Sequence, residues 1–275
     1  RADAGRLQRP GPAGQGDPIS CALQLLSPSA GPRLLVIVPD SDVQLYQRLT
    51  GHTVSLQDYV NRNFLRPETL RRVSPQYADS ANALFHSATT QSFVLDLIPR
   101  FAEVIPPAEL SVRHPSSLAM KDFEKDNALL IAGPFGDPWV QLFDRDLNFQ
   151  IETEPDGQRA FIRNRAPRSS ERTEYFNYAD PSAQAVICYS RIAYLPGLTP
   201  AGRVLLAGGP HSASTEAACR FLTRSDSLRA ICRLFQVDSP AQLPWFELLI
   251  EAKAIGDAPW SMSIIAHRTV LAVSH

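Results

Sequence analysis

Three short stretches carry the residue types from which a binding site is built. Asp40-Ser41-Asp42 follows the apolar run 34–38, and Gly133-Pro-Phe-Gly-Asp137 follows the apolar run 129–132. Gly208-Gly209-Pro-His211-Ser212-Ala-Ser214-Thr215-Glu216 follows the run 204–207. The third is the richest. Its glycines let backbone approach a ligand. The amides of residues 213–216, at the positive end of a helix, favour an anion. His211, Ser212, Ser214 and Thr215 add side-chain donors. The expected site is therefore Asp40, Ser41, Asp42, Gly133, Asp137, Gly208, Gly209, His211, Ser212, Ser214, Thr215 and Glu216, taking a small anionic ligand. Asp40, Asp42 and Asp137 also suit a metal or acid–base chemistry. The local alternative is that each caps the helix it precedes, and that Gly-Gly turns and Ser/Thr caps need no ligand at all.

Nucleophilic and nucleotide chemistries find no complete motif. A triad needs nucleophile, base and acid to converge. Six histidines are present, but no Gly-x-Ser-x-Gly elbow presents a serine. His52, His86 and His114 read as surface or packing residues. The Gly-x-x-x-x-Gly-Lys-Ser/Thr loop is absent, which excludes a P-loop hydrolase. Neither Gly133 with Gly136 nor Gly208-Gly209 matches Gly-x-Gly-x-x-Gly, so conventional dinucleotide binding is disfavoured. Cys21, Cys188, Cys219 and Cys232 have no zinc-ligand spacing, and Cys219 and Cys232 read as small buried hydrophobes. No cofactor is implied.

The elements that must position these stretches follow from periodicity. Each is a continuous apolar run broken by Gly, Pro or Asp and followed by apolar residues at helical spacing, as in Val43, Tyr46 and Leu49 or Ala217, Ala218, Phe221 and Leu222. A buried strand turning into a capped helix is the βα unit of a parallel sheet. Ser214 or Thr215 is the expected cap of the third helix. Ser55 with Asp58 opens a further helix, residues 80–102 carry a long helical pattern, and residues 109–112 a short strand. From residue 148 the pattern changes. Residues 149–152 and 160–163 flank Asp156-Gly157, a hairpin signal. Residues 164–180 read as an Arg-rich extended loop or edge, whose Arg163, Arg165, Arg168 and Arg172 are either solvated or within reach of an anion or partner. Residues 184–194 form a strand, Pro196-Gly197 a turn, residues 226–235 a helix, and residues 246–253 and 261–268 an antiparallel hairpin.

The bulk numbers fit one domain. The chain has 275 residues, 44% hydrophobic and 20% charged, within the range of a single core. A net charge of -1 with no Lys/Arg run argues against nucleic acid as a partner. No apolar run reaches the length of a membrane span. Residues 1–18, rich in Gly, Pro, Arg and Gln, read as a linker or tail, and residues 19–275 as one domain with a C-terminal β-hairpin. The expected fold class is α/β: a three-layer, Rossmann-like arrangement with a mostly parallel central sheet and an antiparallel C-terminal extension.

Three segments together resemble a poorly characterised bacterial group of Rossmann-like domains: residues 127–143, the Asn164-Arg-Ala-Pro167 loop, and residues 202–218 with the helix they open. In that group the domain tends to follow a helix-turn-helix or membrane-anchor segment. The resemblance spans most of residues 19–268. It implies a regulatory, sensory or assembly role and assigns no catalytic residue. The functional expectation is a non-enzymatic ligand-sensing or protein-interaction domain. Two alternatives stand beside it: a nucleoside- or glycosyl-processing enzyme using Asp40 or Asp137, and a structural protein that assembles through the edge of the final hairpin.

Overall fold

The computed structural model describes residues 25–26, 33–66, 68–69, 98–99, 109–124, 126–154, 159–199, 202–224, 226–255 and 258–271. The expected tail at 1–18, most of the helical pattern at 80–102 and the Asp156-Gly157 turn lie outside them.

Four strands form the half of the main sheet that carries the three stretches. β1 (Leu34–Ile37), β3 (Asn127–Ile131) and β9 (Arg203–Gly208) lie side by side in the order β9, β3, β1, with β2 (Leu110–Arg113) beyond β1. All three contacts among them are parallel. The strands β1, β3 and β9 are buried almost throughout, which explains their continuous apolar runs. Alternate residues face opposite cores. Leu34, Val36, Leu129, Ile131, Leu205 and Ala207 join one cluster; Leu35, Ile37, Ala128, Leu130, Val204 and Leu206 join the other. The first cluster is covered by α4 (Ser212–Thr223) and α5 (Ser227–Leu234) through Ala218, Phe221, Leu222, Leu228 and Ile231. The second is covered by α1 (Ser41–Thr50), α2 (Leu56–Val60) and α3 (Met120–Phe123) through Val43, Tyr46, Tyr59 and Phe123.

The other half of the sheet corrects the expected fold class. β8 (Ala185–Pro196) joins β9 antiparallel, and β10 (Phe246–Ile255) and β11 (Ala258–Thr269) extend it antiparallel to the edge. β7 (Tyr178–Asp180) pairs antiparallel with the part of β8 that β9 does not reach. A second sheet of β4 (Phe149–Thr153), β5 (Ala160–Asn164) and β6 (Glu174–Phe176) is antiparallel throughout. Antiparallel pairs therefore outnumber the three parallel ones among the described residues, and the fold is a mixed, sheet-rich one rather than a three-layer Rossmann-like α/β. The cause is the link between β8 and β9. It runs only from Gly197 to Gly202, closed by Gly197 N–H donating to the Gly202 carbonyl (2.8 Å). So short a connection joins antiparallel neighbours only, since a parallel crossover needs a dozen residues or more. The segment expected as an extended loop or edge at 164–180 contains two short strands, β6 at the side of the second sheet and β7 against β8.

Buried charge clamps the second sheet to the first. Arg191 on β8 is 1% exposed and donates to the Phe149 carbonyl (3.1 Å) while facing Asp144 (3.5 Å). Glu247 on β10 accepts from the backbone N–H of Asn148 (2.6 Å) and Phe149 (2.9 Å). Burial raises the carboxyls of both Asp144 and Glu247, with Arg191 opposing that shift in each. Arg268 on β11 pairs with Glu171 and donates to the Ala166 carbonyl (2.9 Å), fixing the Arg-rich loop. Arg163 is held between Glu152 (2.7 Å) and Glu174 (2.8 Å), so its charge serves the second sheet.

Gly208 is the tightest point of the parallel half. A Cβ there would lie 2.1 Å from the Ala132 carbonyl carbon and 2.5 Å from the Gly133 nitrogen. Both are backbone atoms that no rotamer change can move. Gly208→Ala is expected to destabilise the protein by about 3 kcal/mol, the upper end of overpacking costs. A urea-unfolding midpoint indistinguishable from wild type would contradict this packing.

Candidate functional site

Parallel pairing in register brings the three corners to one rim. Ile37 pairs with Leu130, and Ile131 with Ala207, so β1, β3 and β9 end at nearly one level. The corners then bond to one another. Asp40 N–H donates to the Gly136 carbonyl (2.7 Å). Gln47 Nε2 donates to the Phe135 carbonyl (2.7 Å), while its Oε1 accepts from Val54 N–H (2.9 Å). Gly209 N–H donates to Thr215 Oγ1 (3.3 Å), folding the third corner onto its own helix.

Each predicted residue takes a definite place on this rim. Asp40 is the N-cap of α1, its Oδ1 accepting from Asp42 N–H (3.0 Å) and Val43 N–H (3.1 Å). Asp137 caps the 3-10 turn Pro138–Leu142 through Trp139 N–H (3.0 Å). Ser41 and Asp42 are half-buried in the first turn of α1. Gly133 and Gly209 pack backbone to backbone: a Cβ on Gly133 would meet the Gly209 oxygen at 3.0 Å, and one on Gly209 would meet Ser214 Cβ at 2.3 Å. Ser214 is fully buried and accepts from Asn177 Nδ2 (3.0 Å). Glu216 accepts from Arg220 Nε (2.7 Å) one helical turn on. The helix begins at Ser212 with His211 as N-cap, three or four residues earlier than the expected Ser214 or Thr215 cap. The glycines, Ser214, Thr215 and Glu216 therefore build the corners and Asp137 is buried behind them, while His211, Asp40 and Asp42 line cavities.

Two cavities open on the rim. The larger, about 370 Å³, lies between α1, the second corner and the third. Gln44, Arg48, His52, Phe135, Thr153 and His211 are on its wall, and none of the residues lining it is Asp or Glu. Arg48 Nη2 lies 3.0 Å from His211 Nδ1. A guanidinium can only donate, so Nδ1 is the acceptor and the imidazole carries its proton on Nε2. The α4 N-terminus at this wall has no acidic residue in its first turn and no side-chain cap from His211. The first turn of α4 thus supplies no carboxylate of its own to offset the positive end of the helix dipole.

The smaller cavity, about 150 Å³, is lined by Asp40, Asp42, Tyr59, Arg62, His114 and Trp139, among others. Asp40 Oδ2 accepts from Tyr59 O–H (2.5 Å) and lies 3.8 Å from His114 Nε2. Burial and the neighbouring Asp40 carboxylate hold the Tyr59 phenol far above its ordinary range. Asp137 stands behind this pair, fully buried, with no hydrogen-bond partner for Oδ2 among the described residues. Burial, reinforced by the charge of Asp40, pushes its carboxyl up to about 8, against the lowering effect of Trp139 N–H. Asp137 is thus a neutral acid at pH 7 that caps a turn.

Arg48, Gln47, Phe135, Tyr59 and Asn177 have no local signature that marks them as site residues. Arg48 meets His211 across 163 positions of sequence, so only the sheet order reveals the contact. Among the described residues no group of His, Cys, Asp or Glu could hold a metal ion, and no helix is long and apolar enough to cross a membrane.

The neutral state of Asp137 has a measurable consequence. Its ordinary value is 3.8 and its folded value about 8. Between these the unfolded chain has lost the proton that the fold keeps, so this group's contribution to stability falls as pH rises, by ~1.4 kcal/mol per pH unit. Asp137→Asn retains the cap acceptor and cannot ionise. Urea midpoints measured from pH 5 to 8 should show the variant gaining steadily on wild type. Parallel pH profiles for the two proteins would mean that Asp137 is ionised in the fold.

No family model, curated protein or solved structure matches this chain, so its site is read from its own geometry.

Proposed function

We propose that this chain is a ligand-sensing domain that takes a small anion in the larger rim cavity. The observation that carries the reading is the charge of the wall: one arginine and two histidines, amide and hydroxyl donors, and no acid. An arginine donating to a neutral imidazole is a modest interaction. An anion is a stronger acceptor for the guanidinium, and the imidazole Nε2–H is a second donor for it. Backbone amides at the start of α4 add to the same field. The volume falls at the lower end of small-molecule sites, and Phe135 gives the anion's organic part an apolar surface. Arg48 sits on α1 and His211 at the head of α4, so one ligand ties two helices on opposite faces of the sheet. That linkage is what makes the site a sensor.

The rim carboxylates favour this over glycosyl chemistry. Asp40 Oδ1 and Asp137 Oδ1 are committed to caps, and Asp137 at 0% exposure has no path to a substrate.

Inorganic phosphate, nucleoside monophosphates and small carboxylates form the test panel. A member of the panel at 100 times its dissociation constant should stabilise the protein by about 2.7 kcal/mol. Arg48→Ala, an exposed position, should retain the fold and lose at least tenfold in affinity by calorimetry. Absence of thermal stabilisation by every member of the panel would remove the ligand from this reading.

A further inference from the structure

The last strand of the sheet has the properties of a self-pairing edge. β11 is twelve residues long and pairs with β10 on one side only among the described residues. A strand edge exposes unpaired N–H and C=O groups, and proteins usually guard it with charge, proline, a bulge or brevity. The opposite edge, β2, is guarded by brevity and by Arg113. β11 is guarded at Pro259 and by two register shifts, between Lys253 and Ala254 and between Leu249 and Ile250, which mark bulges beside Trp260 and Ile265 and leave residues 261–264 regular between them. Arg268 has its charge drawn into the pair with Glu171. From Ala258 to Ala266 there is no charged residue at all. Within that stretch Trp260 is 49% exposed and Ile265 37%.

We propose that β11 pairs antiparallel with β11 of a second copy of this chain, about a two-fold axis through Met262. This register is chosen by charge. It overlaps the whole uncharged stretch 258–266 with itself and ends before His267 and Arg268, so no like charges meet. It brings Trp260, at its bulge, beside the partner's Ile264, so that an aromatic meets a β-branched residue. It sets Ser261 opposite the partner's Ser263. Met262 and Ile264 lie on one face of the strand and already pack on the core beneath α4. The exposed Trp260 ring of each copy thereby gains an apolar neighbour. Because the contact is the same surface on both copies, it closes as a dimer and cannot propagate.

The register can be tested on the full chain with two double variants at exposed serines. Within one chain Ser261 faces Lys253 and Ser263 faces Glu251. Ser261→Glu with Ser263→Lys satisfies those neighbours and puts opposite charges across the two-fold axis. Ser261→Lys with Ser263→Lys puts lysine against lysine across it. Sedimentation velocity at tens of micromolar should give twice the monomer mass for wild type and for the Glu/Lys variant, and the monomer mass for the Lys/Lys variant. Trp260 emission should shift to the red only in the last. Circular dichroism and a single cooperative thermal transition confirm that each variant is folded. A wild-type monomer at these concentrations, open-ended polymers, or a folded Lys/Lys variant that remains dimeric would each overturn the proposal.

Discussion

The common level at which β1, β3 and β9 end is the constraint from which the rest of the candidate site follows. Their parallel register places Ile37, Ile131 and Ala207 in neighbouring rows, and the next residues in each chain must turn away into helix or loop. Turning within so little space requires backbone to pass backbone. Gly208 lies against the Ala132 carbonyl and Gly133 lies against Gly209. The glycines thus serve the crossing itself, and what they leave above the strands is the space between corners. Side chains arriving from helices fill its walls. Arg48 comes from the last turn of α1 and His211 from the cap of α4. Neither needs a glycine to reach the cavity, but both need the corners to be adjacent.

The antiparallel half does different work. It carries a second sheet on one face, and the join is made with buried charge rather than with apolar residues alone. Arg191, Asp144 and Glu247 lie where Phe149, Ile151 and Tyr189 would otherwise form an uninterrupted apolar layer. A buried pair of this kind adds little net stability against a hydrophobic replacement, but removing one partner strands the other. Its effect here is on position. Glu247 accepts from two consecutive amides, Asn148 and Phe149, and so sets where β4 begins. From there β4 carries Thr153 to the wall of the larger cavity. The second sheet is therefore connected to the rim through a register that charge selects.

Local structure was legible in the sequence wherever one residue and its near neighbours decide it. The caps Asp40, Asp137 and Ser55 were readable because a side-chain acceptor two or three residues before a free amide is a local event. The apolar runs of β1, β3 and β9 were readable because burial on both faces removes alternation. Overall architecture was not, and the reason is specific. Strand β8 is nearly as continuously buried as its parallel neighbours, so hydropathy does not reveal its direction. The six-residue link from Gly197 to Gly202 does reveal it, since a chain that short must reverse. The parallel grammar of three βα corners outweighed that one local fact in the expected fold. The site had the same limits. His211 and the aspartates were visible as residue types, while Arg48 and Tyr59 gain their roles only from contacts between distant segments.

One further step connects the two rim cavities. Both adjoin α1 but differ in the charge of their walls. The larger presents Arg48, His52 and His211 without an acid, whereas the smaller mixes Asp40 and Asp42 with Arg62 and His114 beside Tyr59. Asp40 and Asp42 on the first corner and the buried Asp137 on the second would repel if all were ionised. The chain avoids this by burying Asp137 so completely that it keeps its proton, and by giving Asp40 a phenol donor and two amides. In this arrangement the acid that looks most like a catalyst in the sequence is a buried cap whose burial favours its neutral form.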